Sequence, residues 1–166
     1  MKRILVNEDV CSGCRACEVA CVVAHDGRFG TATTRIRVTK IEPLGVDHPH
    51  VCRLCQRAPC VTACPTGALY QDETTRAILL RPDDCVGCPA CVDACPFGMA
   101  ALHPETNLAL ICDLCGGDPA CVKRCATGAI VYDDAGAGAR AKRERLVSRP
   151  VKKQVSPDVH VQSYLE

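Results

Sequence analysis

Cys85-Val86-Gly87-Cys88-Pro89-Ala90-Cys91-Val92-Asp93-Ala94-Cys95-Pro96 is the stretch whose reading decides the fold. It spaces four thiols as C-x2-C-x2-C-x3-C and follows the last with proline. Three thiolates two residues apart can lie on one tight loop and grip a corner of a cubane iron–sulfur cluster. The fourth comes four residues later, one turn down a short helix that begins near the third. A helical turn advances about 5.4 Å, so the fourth sulfur points away from the site that the first three enclose. One such run therefore implies a second.

The chain holds four. Cys11, Cys14, Cys17 and Cys21 repeat the same spacing. Cys52, Cys55, Cys60 and Cys64 give C-x2-C-x4-C-x3-C, and Cys112, Cys115, Cys121 and Cys125 give C-x2-C-x5-C-x3-C. With Cys85, Cys88, Cys91 and Cys95 these use all sixteen cysteines and leave no spare thiol. Four quartets of thiolate ligands are the donor set of four [4Fe–4S] clusters.

Composition agrees with metal rather than a conventional core. The chain has 166 residues, 3 % aromatic content and no tryptophan, too little for a core of large side chains. Metal–thiolate binding is itself folding free energy and can stand in for that core. Its net charge of +1 gives no argument for a nucleic-acid partner. It begins Met1-Lys2-Arg3-Ile4-Leu5-Val6-Asn7-Glu8 with no apolar signal stretch, which predicts a cytoplasmic protein with reduced thiols. Metal ligation is then a better reading than disulfides. No run of about 18 apolar residues exists, so no membrane insertion is expected. Zinc in an interaction module is the reading from a different class. It needs only paired C-x2-C knuckles and leaves the third and fourth cysteine of each quartet unexplained.

Arg3 to Val6 predicts a short strand leading into the first quartet, whose helical turn is Glu18-Val19-Ala20. Between Cys21 and Cys52, Arg35-Ile36-Arg37-Val38-Thr39 alternates polar and apolar, as a half-buried strand does. His25, His48 and His50 fall in the same connection. Histidine can replace cysteine on a cluster, but with every quartet complete these read as loop histidines. Quartets two, three and four end alike, in Cys64-Pro65-Thr66-Gly67-Ala68-Leu69, Cys95-Pro96-Phe97-Gly98-Met99-Ala100 and Cys125-Ala126-Thr127-Gly128-Ala129-Ile130. Each predicts a helical turn, a glycine turn and a small strand. Ala77 to Leu80 and Leu108 to Ile111 lead into quartets three and four. The whole is an internal repeat.

The repeat stops near Asp133. Gly136-Ala137-Gly138-Ala139-Arg140-Ala141 resembles a dinucleotide-binding glycine motif, but only 25 residues follow it, too few for the rest of a nucleotide domain. A Gly/Ala joint fits better. Residues 140–166 carry seven basic and three acidic side chains, net +4, against net −3 for residues 1–139. Residues 136–166 are expected to form a basic docking arm behind a four-cluster domain over residues 1–135.

Taken together, these quartets resemble the four-cluster, ferredoxin-like electron-transfer subunits of molybdenum and tungsten oxidoreductases. That family includes the iron–sulfur subunits of dimethyl sulfoxide reductases and formate dehydrogenases. The resemblance covers about residues 3–132 and is specific, because the x4 and x5 spacings fall in the right quartets. In two respects the chain departs from the family: Cys21 and Cys125 lack a following proline, and the transmembrane helix of membrane-bound relatives is missing.

The resemblance implies an α+β fold of two nested bacterial-ferredoxin-like halves related by a pseudo-twofold axis. Quartets one and four would share one half and quartets two and three the other. Proline after Cys64 and Cys95, and its absence after Cys21 and Cys125, matches that pairing. The ligand sets implied are Cys11, Cys14, Cys17 with Cys125; Cys112, Cys115, Cys121 with Cys21; Cys52, Cys55, Cys60 with Cys95; and Cys85, Cys88, Cys91 with Cys64. The expected function is a non-catalytic relay of single electrons between a catalytic molybdenum or tungsten subunit and a soluble acceptor subunit, or another copy docked end to end. A tungsten aldehyde oxidoreductase is the favoured partner. A hydrogenase, formate dehydrogenase or carbon monoxide dehydrogenase is the alternative.

Overall fold

A computed structural model of the chain describes residues 1–134 and 136. The basic docking arm, beyond Gly136, lies outside the described residues. The strands form four antiparallel pairs. β1 (Lys2–Val6) pairs with β8 (Ile130–Asp134), and β2 (Arg37–Ile41) with β3 (Val46–His50). β4 (Leu69–Gln71) pairs with β5 (Ile78–Leu80), and β6 (Ala101–Leu102) with β7 (Ala109–Leu110). Between them lie α1 (Ala16–Asp26) and three single turns, α2 (Pro59–Thr62), α3 (Ala90–Asp93) and α4 (Ala120–Lys123). The architecture is a small α+β fold, with strands too short to bury a sheet face of their own.

The single turns start where proline allows. Pro59 opens α2, and Pro89 and Pro119 stand immediately before α3 and α4. A proline there removes an N–H that would have no helical partner. Helix α1 is longer than the turn expected at Glu18-Val19-Ala20. Cys17, Glu18, Cys21 and Val22 bury one face, and the helix runs on until Gly27, at φ 64°, returns its N–H to the Val23 carbonyl at 3.1 Å. The strand expected at Arg35 starts two residues later. The Thr34 hydroxyl donates to the Ile36 carbonyl at 2.9 Å and accepts its N–H at 3.3 Å, which folds this stretch back on itself. His25 lies on α1, and His48 and His50 on β3, so none of the three is a loop residue.

The repeat is visible in its hairpins. Asp72 accepts the N–H groups of Thr74 and Thr75 at 3.1 and 2.6 Å, and Arg76 closes the β4–β5 turn at φ 64°. His103 Nδ1 accepts the N–H groups of Glu105 and Thr106 at 3.1 and 3.2 Å, and Asn107 closes the β6–β7 turn at φ 58°. A carboxylate and an imidazole thus build the same turn.

α1 packs on α4 and α2 on α3. Two cores result. One gathers Cys17, Cys21 and Cys121 with Ile4, Ile36 and Leu114; the other gathers Cys60 and Cys91 with Leu69, Ile78 and Ile111. Buried Glu18 ties α1 to β2 by accepting the Val38 N–H at 2.7 Å. Among the described residues no helix is long and apolar enough to cross a membrane.

Candidate metal centres

Each cysteine loop turns on its third residue. Gly13, Leu54, Gly87 and Leu114 all adopt left-handed backbone, at φ 61°, 48°, 69° and 57°. Glycine stands where the neighbours crowd in. A Cβ on Gly87 would lie 2.8 Å from the Asn107 carbonyl oxygen, and one on Gly13 would run into the Asp47 carboxylate. Leucine stands where the loop faces inward. Left-handed backbone costs a non-glycine residue roughly 1–2 kcal/mol. Leu54 and Leu114 are 3 % and 1 % exposed, and burying a leucine contributes about 1.5–3 kcal/mol, enough to offset it.

The third cysteine of every quartet, Cys17, Cys60, Cys91 and Cys121, is buried. Burial pushes the Cys17 and Cys60 thiols up to about 11 and the Cys121 thiol up to about 12. Cys91 and Cys112 move upward for the same reason. Without a cation these sulfurs stay protonated at neutral pH. The fourth cysteines behave differently. Burial opposes ionisation of Cys64 and Cys125, yet the amides and hydroxyls of the turn that follows each bring both thiols below the usual value. Thr66 and Thr127 stand 3.7 Å from the respective sulfurs, and the Met99 N–H donates to Cys95 Sγ at 3.3 Å in the corresponding turn of quartet three.

Two cavities open among the sulfurs. One is lined by Cys52, Cys55 and Cys60 from quartet two together with Cys95 from quartet three. The other is lined by Cys112, Cys115 and Cys121 from quartet four, with Cys21 from quartet one; Cys52 also reaches its wall. Cys91 lies near Cys64 as well as Cys85 and Cys88. Cys17 lies near Cys14, and Cys125 follows α4, which packs on α1. Of that set Cys14 is exposed, Cys11 and Cys125 are half-buried and Cys17 is buried.

His25 has a part that sequence reasoning missed. Its Nε2 donates to the Asp113 carboxylate at 3.0 and 3.2 Å, and its Nδ1 donates to the Cys21 carbonyl at 2.8 Å with Cys21 Sγ 3.9 Å away. The ring, the Asp113 carboxylate and the Cys115 thiol bring ligand-type atoms within 4.8 Å of one another. The signal was present: His25 lies four residues beyond Cys21, hence on the same helix face, and Asp113 directly follows Cys112.

The donor chemistry fits iron–sulfur clusters. Cysteine sulfur outnumbers every other ligand type in both cavities, and one wall carries Arg35, whose Nε and Nη1 are buried without a hydrogen-bond partner among the described residues.

Residues 46–135 match the family model described as a 4Fe–4S dicluster domain, and residues 8–23 match a 4Fe–4S binding domain. The chain belongs to the 4Fe–4S dicluster domain family and binds multiple [4Fe–4S] clusters. It is 46 % identical over 111 residues to the polyferredoxin-like subunit of an aliphatic sulfonate oxidoreductase of Pyrococcus furiosus, covering 67 % of this chain and 64 % of that protein. It is 37 % identical over 116 residues to the thiosulfate reductase electron transfer subunit PhsB of Salmonella typhi, covering 66 % and 60 %. To the electron transport protein HydN of Escherichia coli it is 38 % identical over 100 residues, covering 57 % and 56 %. The chain thus spans less than two thirds of each of these relatives.

Proposed function

We propose that this chain is a non-catalytic electron relay, carrying single electrons through four [4Fe–4S] clusters between a catalytic oxidoreductase subunit and an acceptor. The observation that carries the reading is the make-up of the two cavities: each gathers three sulfurs of one quartet and the fourth of another. That arrangement supports the crossed scheme in which Cys11, Cys14, Cys17 pair with Cys125; Cys112, Cys115, Cys121 with Cys21; Cys52, Cys55, Cys60 with Cys95; and Cys85, Cys88, Cys91 with Cys64. The packing of α1 on α4 and of α2 on α3 supports two nested halves within residues 1–135. When bound, a [4Fe–4S] cluster takes up and releases one electron. The chain's own part is to gather the sulfurs, exclude water from the third ligand, and set neighbouring sites about one helical turn apart.

The relatives are subunits of oxidoreductase complexes or electron-transport proteins, which supports a catalytic partner here. We place that partner in the molybdenum and tungsten class, with an aldehyde oxidoreductase first. Residues 136–166 would dock the partner, or a second copy end to end. Anaerobic purification tests the proposal. About sixteen irons per chain are expected from four four-iron clusters, together with a large co-purifying subunit. Stoichiometric zinc, or iron for two clusters only, would sink it.

A further inference from the structure

The cavity shared by Cys21, Cys112, Cys115 and Cys121 has a half-buried guanidinium in its wall. Arg35 lines it, with Nε and Nη1 buried and without a hydrogen-bond partner among the described residues. The Arg35 main-chain N–H donates to Cys21 Sγ at 3.3 Å. A guanidinium presents five N–H donors and keeps its charge at any ordinary pH. Leaving two such donors buried without an acceptor is costly, so the site as built favours a negative occupant beside Asp113.

No described neighbour accepts from those two nitrogens. Asp113 lines the same cavity and Arg35 feels its charge, but its oxygens accept from His25 and from the Cys115 N–H at 2.9 Å. Arg3 also buries an unpartnered Nε, yet it lines neither cavity. The other cavity has Arg53, which is exposed and lies over the Phe97 ring, 5.7 Å from its centroid. Water screens that charge far more than it screens Arg35.

We infer that Arg35 is the resident counter-charge of the cluster held by Cys21, Cys112, Cys115 and Cys121, and raises its potential above what four thiolates alone would give. The inference rests on the cluster reading of these cysteines. A cube with four thiolates is an anion, and one added electron makes it more negative by one charge. A fixed positive charge in a low-dielectric wall favours that more negative state. No proton moves and no bond breaks. An electron delivered by the adjoining relay would be held here more readily than without Arg35.

The test is an EPR-monitored redox titration of the full-length holoprotein. In Arg35→Gln one component should need a poise at least tenfold more reducing, 59 mV lower for a one-electron couple, while the others hold. Arg35→Lys should restore most of the difference. Asp113→Asn, which removes a negative neighbour, should move the same component the opposite way, and Cys21→Ser should alter the signal of that component. If Arg35→Gln fails to load, the Asp113→Asn and Cys21→Ser pair carries the test. Unchanged potentials, or shifts in different components, would overturn the assignment. Iron analysis reads the cluster count separately: fewer than four clusters with one Arg35-dependent component would overturn that count and leave Arg35 assigned.

Discussion

His25 Nε2 lies 3.0 Å from Asp113 Oδ1, a bond that joins residues 88 positions apart in the chain. One stands on the helix of quartet one, the other inside the loop of quartet four. Since His25 Nδ1 faces a carbonyl and Nε2 a carboxylate, both nitrogens must donate, and the ring is an imidazolium. The pair clamps Cys21 against the loop whose sulfurs share its cavity.

This clamp has a pH signature. The Asp113 hydrogen bond, aided by the Cys115 and Cys21 thiols and opposed by burial, raises the His25 pKa to about 12. Below pH 6.5 both folded and unfolded rings are protonated, and the stabilisation is whole. Above it the unfolded ring loses its proton while the folded one keeps it, so stability falls as pH rises, by up to about 1.4 kcal/mol per pH unit. Anaerobic urea unfolding should therefore show the gap between wild type and His25→Gln narrowing from pH 6.5 to pH 9. A gap that stays constant would mean the folded ring is neutral.

Leu114 combines left-handed backbone with 1 % exposure. Leu114→Ala keeps the backbone cost and removes the packing, so it should destabilise by about 2–5 kcal/mol. Val86, two residues from Cys88 but 67 % exposed, provides the control; Val86→Ala should stay within about 0.5 kcal/mol. Denaturation midpoints followed by cluster absorbance compare them.

Crossed ligation predicts which serine variants share a phenotype. Cys21→Ser and Cys112→Ser should perturb the same spectroscopic component, as should Cys95→Ser and Cys52→Ser. Cys21→Ser and Cys11→Ser should perturb different ones. The opposite grouping would show that each quartet binds its own cluster.

Removing iron should remove the fold. The buried third cysteines are held as neutral thiols by their surroundings, and both cores are built partly of sulfur. Chelation after oxidation should collapse the far-ultraviolet circular dichroism and open the chain to protease. A stripped protein that kept its spectrum would show that the apolar residues suffice.

Much of this was legible because ligand spacing is a local property. The four quartets, the strand before quartet one and the hairpins around Asp72 and His103 all follow from near neighbours in sequence. Gly13 and Gly87 announce left-handed turns. Leu54 and Leu114 conceal the same turn, because what offsets their strain is packing from distant segments. The partnership of His25 with Asp113 was hidden for that reason too, as was Arg35, which a strand pattern placed on a half-exposed face. Helix α1 outran its expected length because its end depends on Gly27 rather than on the cysteines.

The pairing of β1 with β8 sets a clock on synthesis. Val6 sits opposite Ile130, and the Met1 amino group bonds Asp134. The first strand leaves the ribosome with no partner, whereas β4 and β5 close a local hairpin as soon as Leu80 emerges. At 5–20 residues per second the first strand waits on the order of ten seconds. Over that interval Cys21 stands apart from the loop that shares its cavity, whereas Cys52, Cys55, Cys60 and Cys95, which line the other, are all made by residue 95. The sulfurs of the Cys52 cavity are therefore complete before those of the Cys21 cavity, and the thiols of α1 wait longest for the segments they pack against.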